Sequence, residues 1–300
     1  MSIPENGIWD WYKETKKDYY KGEGNMGDII YNGGQRRKYA PGETPVVFKR
    51  KEVTPAKVVP VPPLEIHPKF ADKHFIVMSD VNEFVPGVEA KMVDWFWGNM
   101  EKGYHLWAPG EHYGFDWIVP PCEVGYAGSV EGSYEFNPSN VIKITRTSVE
   151  YYPFTECYEH CWMSCFGDST PDSGFLIHMY QDTEGGIFWR SVSVSSEERM
   201  KAMAEQMKKM AEMAEKTGMT PPPRPNIAEH MAFESAMLGE FLPGLYKVWE
   251  GHPDPWQNVD FDLTTVRQED GTWRHKYTNV PPTKEEVEKA LAEGTPYPKH

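Results

Sequence analysis

The chain predicts an α+β domain in which an antiparallel sheet packs against a long C-terminal helix. Three observations carry that expectation. Two pairs of strand-like runs are joined by turn signals, two long helical stretches follow the strands rather than alternating with them, and the residue pattern changes near position 74. A curved sheet gripping a helix in this way encloses a pocket.

The elements follow in order. Residues 1 to 68 are rich in Gly, Pro, Lys and Tyr, with YNGG, APGETP and VVPVPPLEIHP as turn or extended signals, and read as an arm wrapped over the core or over a partner subunit. From about 74, HFIVMSDV, a Pro-Gly turn and AKMVDWFWGNM read as a strand leading into an aromatic-rich segment. VGYAGSVEGSYE and NVIKITRTSVEYY are strand-like and flank Phe136-Asn137-Pro138-Ser139, a hairpin turn; FLIHMYQD and GIFWRSVSV, split by TEGG, make a second hairpin.

SSEERMKAMAEQMKKMAEMAEKTG is helical, with Ser196 placed to cap it, an acidic first turn and a terminating Gly. Its Met stripe at 203, 207, 210 and 213 reads as a core face. PPPRP breaks the chain before a second helix over about 226 to 249, with Asn226 near its start. From Gly251 the chain is polar, with several Pro, and ends in a short helix PTKEEVEKALAEG. The expected organisation is an arm over 1–72, a domain over 73–250 and an extension over 251–300.

Composition narrows the function classes. The 300 residues carry a formal charge of −14, from 45 acidic against 31 basic side chains, a field that repels phosphate backbones and anionic headgroups. Neither nucleic acid nor a membrane surface is an expected partner. No basic segment followed by an apolar stretch opens the chain and no run of about 18 apolar residues occurs, so a soluble cytoplasmic protein is expected. Although only 39% of residues are apolar, 11 Trp and an aromatic content of 14% supply the burial area of a packed core.

Four Cys make no disulfide framework. Three of them fall in CYEHCWMSC, at 157, 161 and 165, beside His160. That segment reads either as a soft-ligand metal site or, preferably, as small apolar residues at i, i+4 and i+8 on one helix face.

His230-Met-Ala-Phe-Glu234 is a His-x-x-x-Glu pair, and four residues of helix return to nearly the same face, so both side chains can converge on one ion. The spacing is common on solvated helices. Here Ala232, Phe233, Ala236, Met237, Leu238 and Phe241 surround the pair, which indicates a buried helix, and a buried Glu needs a partner. His112, in a turn after Trp107-Ala108-Pro109-Gly110-Glu111, and Glu135, at the end of a strand, are unremarkable taken singly.

Together these segments resemble the bacterial diacetylphloroglucinol hydrolase and phloretin hydrolase family, zinc-dependent enzymes that remove an acyl group from a polyhydroxylated ring. DWFWGNMEKGYHLWAPGEH supplies Tyr104 and, eight residues on, His112. Gly128 precedes Glu135 by seven residues, just before a hairpin, with Glu131 the competing choice. HMAFE is followed by EFLPGLY, ending at Tyr246. The resemblance covers residues 75 to 250 and reaches neither the first seventy nor the last fifty.

The resemblance implies a helix-grip fold related to the Bet v 1 and START domains. It implies one divalent ion per chain, zinc first and Fe(II) or Mn(II) tolerated, held by His112, Glu135, His230 and Glu234. The activity implied is hydrolysis of a carbon–carbon bond beside a ketone in an acylated phenol, by a homodimer. His178 matches a pocket His that relays protons or orients a phenol, and Tyr104 would bind a substrate hydroxyl. Phe115 and Ser193 stand where the hydrolase has a substrate-binding Asn and a Tyr, so the substrate pocket differs. Two other readings use the same fold: a non-catalytic binding protein for a hydrophobic or phenolic molecule, and a metal-dependent isomerase or decarboxylase.

Overall fold

The computed structural model describes residue 50 and residues 52–119, 121–136, 141–167, 169–217, 226–249 and 261–277, together with Glu285, Lys289, Ala292 and Glu293. Its strands are β1 (Lys57–Val58), β2 (Phe75–Pro86), β3 (His112–Val119), β4 (Val130–Glu135), β5 (Ile142–Arg146), β6 (His160–Phe166), β7 (Gly174–Thr183) and β8 (Gly186–Ser196). They form an eight-stranded sheet in the order β1-β2-β8-β7-β6-β5-β4-β3, antiparallel throughout. The helices are α1 (Ala90–Gly98), α2 (Tyr104–Trp107), α3 (Pro121–Val124), α4 (Glu197–Thr217) and α5 (Ile227–Trp249), and β9 (Thr265–Arg267) pairs with β10 (Trp273–His275). The protein is therefore α+β, with a large antiparallel sheet.

From β2 the chain crosses through α1 and α2 to the far edge at β3, then meanders back strand by strand until β8 pairs with β2. Tight turns drive the meander. Gly185, between β7 and β8, takes φ 79°, a left-handed conformation that costs a glycine little. Of the expected turn over 136–139, Phe136 takes a left-handed φ of 59° and residues 137–139 lie outside the described residues; β4 and β5 on either side pair as a hairpin does.

The central strands bury both faces. On β6 to β8, Trp162, Tyr180 and Trp189 join a core shared with the helices, while the alternate positions Cys161, Met163, Cys165, Phe175, Ile177, Met179, Val192 and Val194 form a second core beneath. Helix α5 presents Phe233, Met237, Leu238, Phe241, Leu242 and Leu245 to the first core, a stripe at 3.6-residue spacing. Gly239 lets this helix approach β2, because a Cβ there would stand 2.9 Å from the carbonyl oxygen of Pro86. Ser196 and Asn226 cap α4 and α5, accepting hydrogen bonds from the Arg199 and Glu229 amides at 3.2 and 3.3 Å.

Several expectations are corrected. The Cys segment is a strand: Cys161 and Cys165 lie on β6 and face the second core, since a repeat of four satisfies a two-residue period as well as a helical one. His112 opens β3 instead of standing in a turn. The Met stripe of α4 is not a core face: Met203, Met207, Met210 and Met213 are 42–65% exposed, and no residue of α4 is buried. Periodicity picks out an apolar face without saying whether anything covers it.

The described parts of both ends pack on the domain. Lys57–Val58 adds an edge strand to β2, and Val53 packs on the first core. Phe261 and Leu263 are buried in that core, and Thr264 bridges to His160. Residues 1–49 and most of the expected terminal helix lie outside the described residues. Among the described residues, no helix is long and apolar enough to cross a membrane.

Candidate metal centre

Two long-range pairings build the site. The register of β3 with β4 sets His112 opposite Glu135, and α5 brings His230 and Glu234, one turn apart, against α2. The Trp107 indole N–H donates to the Glu234 carbonyl at 3.1 Å and ties α5 to α2. His112, His230 and Glu234 are all buried, and one ligand atom of each lies within 4.8 Å of the other two.

The hydrogen bonds assign the imidazole protons. His112 Nδ1 sits 2.9 Å from the Tyr104 carbonyl, which can only accept, so Nδ1 carries the proton and Nε2 offers a lone pair. That Nε2 is buried 3.2 Å from Glu234 Oε1 and makes no hydrogen bond. His230 repeats the arrangement: Nδ1 donates to Glu111 Oε2 at 2.6 Å, and Nε2 points at the same Glu234 oxygen from 3.4 Å.

Lone pairs converging on a carboxylate oxygen repel unless a cation stands among them. The donor set therefore fits a divalent ion, and its mixed nitrogen and oxygen character suits zinc, Fe(II) or Mn(II). An oxygen partner on each Nδ1 is the arrangement that orients metal-bound histidines. Without a divalent ion, a proton takes its place. Burial disfavours charge on His230, but Glu234, Glu111 and Glu135 outweigh it and raise its pKa to about 10. Burial likewise opposes ionisation of Glu234, yet His230 and His112 hold its pKa far below the usual carboxylate range.

Glu135 stands beside this group without joining it. Its Oε1 accepts from the Tyr104 hydroxyl at 2.5 Å. The Tyr104 ring stacks on His112, with centroids 4.0 Å apart and planes 2° from parallel. Burial, reinforced by the charge of Glu135, pushes the phenol pKa well up, so Tyr104 remains a neutral donor. Glu131, the alternative to Glu135, is engaged elsewhere: Arg146 Nη2 donates to its Oε2 at 2.8 Å.

The centre opens on a cavity of about 390 Å³ between the sheet, α4 and α5, lined by Tyr104, Glu131, Glu135, His230 and Glu234 and by an aromatic wall that includes Trp97, Trp107 and Trp162. His178 and Ser193 line it as well. His178 stacks beside Trp97 and Trp189 and its Nδ1 meets Ser191 Oγ at 3.0 Å; burial pushes its pKa down to about 4, so the ring is neutral. Phe115 does not line the cavity. It packs behind, against the Tyr104 and Trp117 rings, with centroids 5.3 and 4.9 Å away, which corrects its expected place in the substrate pocket.

Glu111 was not anticipated. It holds His230 and is itself bonded by Arg50 at 2.5 Å, and its hydrogen bond with His230 keeps its carboxyl pKa low. Adjacency to His112 gave no sign of this, because the histidine it orients is 119 residues away. A second group, Asp94, His160 and Asp262, also brings three potential ligands within 4.8 Å.

No family model and no curated protein matches the chain. Solved structures that align with it include the following two. Protein Ms6760 from Mycobacterium smegmatis shares 10% identity over 61% of this chain and 97% of its own, at a TM-score of 0.34. A solution structure of a protein from Arthrobacter aurescens shares 16% identity over 64% of this chain and 95% of its own, at 0.33. At those TM-scores the likenesses carry no argument about function.

Proposed function

We propose that this chain is a metal-dependent hydrolase that cleaves the carbon–carbon bond between a ketone carbonyl and a hydroxylated aromatic ring. The reading joins the resemblance to the diacetylphloroglucinol and phloretin hydrolases with one observation: the His112 and His230 Nε2 atoms converge on Glu234 Oε1 at the wall of an aromatic cavity. A helix-grip fold is part of the proposal. Its support is the order of elements, in which β2, the helical crossover and the meander β3 to β8 precede the long helix α5.

A divalent ion held by His112, His230 and Glu234, with Glu135 close by, would supply Lewis acidity for a ketone and acidify water. The remaining work falls to the protein. The cavity is near the small end of ligand sites, a size that suits one ring with a short acyl chain. Its aromatic walls exclude bulk water and pack on the ring. Tyr104, whose hydrogen is committed to Glu135, keeps a lone pair to accept from a substrate hydroxyl. Neutral His178 orients a phenol, and Ser193 adds a hydroxyl. Overall, the oxygen of water ends in the carboxylic acid and a proton ends on the ring carbon that bore the acyl group.

The test is turnover of a panel of acylated phenols in oxygen-18 water. Label is expected in the released acid and absent from the ring product, with no need for dioxygen. Unlabelled acid or a dioxygen requirement would exclude hydrolysis, and binding without any product would make the chain a binding protein of the same fold.

A further inference from the structure

Glu131 is a second carboxylate in the cavity wall, outside the metal centre. It lies four residues before Glu135 on β4, and strand alternation turns both to the same face. Its side chain is only 2% exposed. Arg146 occupies Oε2, which leaves Oε1 for whatever fills the cavity. Arg146 is fully buried too, with its guanidinium over the Trp117 and Phe261 rings at 4.6 and 5.5 Å, and its Nε and Nη1 make no hydrogen bond among the described residues. A buried ion pair with unmet donors costs stability that an apolar pair of similar volume would not. Chemistry at the cavity accounts for the pair better than packing does.

Hydrolysis as read above leaves one requirement unassigned, because the departing ring carbon must acquire a proton. Resting on that reading, we propose that Glu131 gives its carboxyl proton to the ring carbon as the carbon–carbon bond breaks, and that Arg146 holds the carboxylate so formed. The electron pair of the breaking bond stays with the ring carbon and takes up the proton. The carbonyl carbon keeps the hydroxyl from water, and the second proton of that water restores Glu131, so one water is consumed.

The environments of the two titratable groups agree with this division of labour. Burial pushes Glu131 up to about 7, with Arg146 opposing and Glu135 adding to the shift, whereas burial pushes His178 down to about 4. A carboxyl near 7 holds a proton to give at neutral pH, and an imidazole near 4 does not. The other charged or titratable groups acting on the pair are Glu101 and Tyr126.

The test uses the full chain as purified with 1,3,5-trihydroxybenzene in deuterated water, and reads exchange of the ring hydrogens by NMR. The unaltered protein is expected to speed exchange above the solvent rate. Glu131→Gln combined with Arg146→Met, which removes both charges together, is expected to lose at least ~10-fold of that acceleration while affinity for the probe, read by tryptophan quenching, stays within about threefold. Arg146→Met alone removes the charge that lowers the Glu131 pKa, so the pH limb of exchange should move to higher pH; a merely structural role would leave it in place. Full acceleration in the double variant, an unmoved limb, or no acceleration by the unaltered protein would overturn the assignment. Hydrolysis of acylated phenols without exchange removes Glu131 and leaves the hydrolase reading standing. Exchange without hydrolysis of any acylated phenol removes the hydrolase reading, and with it the bond-breaking step, and leaves Glu131 only as a proton donor to the ring.

Discussion

His112, His230 and Glu234 make one cluster of imidazole and carboxylate groups, and Asp94, His160 and Asp262 make another, each with its ligand atoms within 4.8 Å of one another. Their hydrogen bonds separate them. In the first, each Nδ1 donates outward, to the Tyr104 carbonyl or to Glu111, and the two Nε2 atoms face a carboxylate oxygen. In the second, His160 Nδ1 itself bonds Asp94 Oδ2 at 2.9 Å, the Tyr180 hydroxyl donates to Oδ1 at 2.6 Å, and the Leu263 amide donates to Oδ2 at 3.3 Å. Asp94 is saturated by the protein, whereas Glu234 faces two imidazole nitrogens that could share an ion with it. Proximity of ligand types is thus a weaker criterion than where each proton points.

The comparison is open to measurement. The largest effect is expected from His230→Ala or Glu234→Ala, either of which should abolish stoichiometric binding of a divalent ion, while Asp94→Asn should leave metal content unchanged. Elemental analysis of the purified variants reads this directly, and full metal in the first two would remove the distinction. Glu111→Gln keeps the shape but weakens the hydrogen bond that orients His230, so metal affinity should fall about 10–100-fold. A chelator competition titration measures the drop.

Removing the side chain of Asp94 tests the other cluster as a clasp on the C-terminal segment. Asp94→Ala leaves the Tyr180 hydroxyl and the Leu263 amide without their acceptor and should cost on the order of 3 kcal/mol, read from chemical denaturation. The smallest effect is a pH dependence. Burial works against charge on His160, but Asp94, with Glu159 and Asp262, outweighs it and raises the pKa above 6.5. Burial also raises Asp94, and this opposes the pair's stability where the carboxylate must be ionised. For His160 the folded pKa is the higher one, so its contribution is full below about pH 6.5 and is lost as pH rises through the folded value. Denaturation midpoints across that window should fall with pH, and the slope should flatten in Asp94→Asn.

Much of this was legible in the residues themselves. The spacing of His230 and Glu234, the apolar stripe around them, the caps at Ser196 and Asn226 and the turn at Gly185 are local properties, fixed by helix and strand geometry within a few residues of chain. An α+β order followed from them. The pairing of His112 with Glu135 depended on the register of β3 against β4, which no local period encodes. Glu111 reaches His230 across 119 residues, and Asp94 meets Leu263 across 169. The same limit explains the corrections: an apolar repeat of four suits a strand as well as a helix in the Cys segment, and the Met stripe of α4 describes a face whose cover is a matter of tertiary packing. Backbone periodicity decided which side chains share a face; only long-range pairing decided which faces meet, and with them where each proton points in the two clusters.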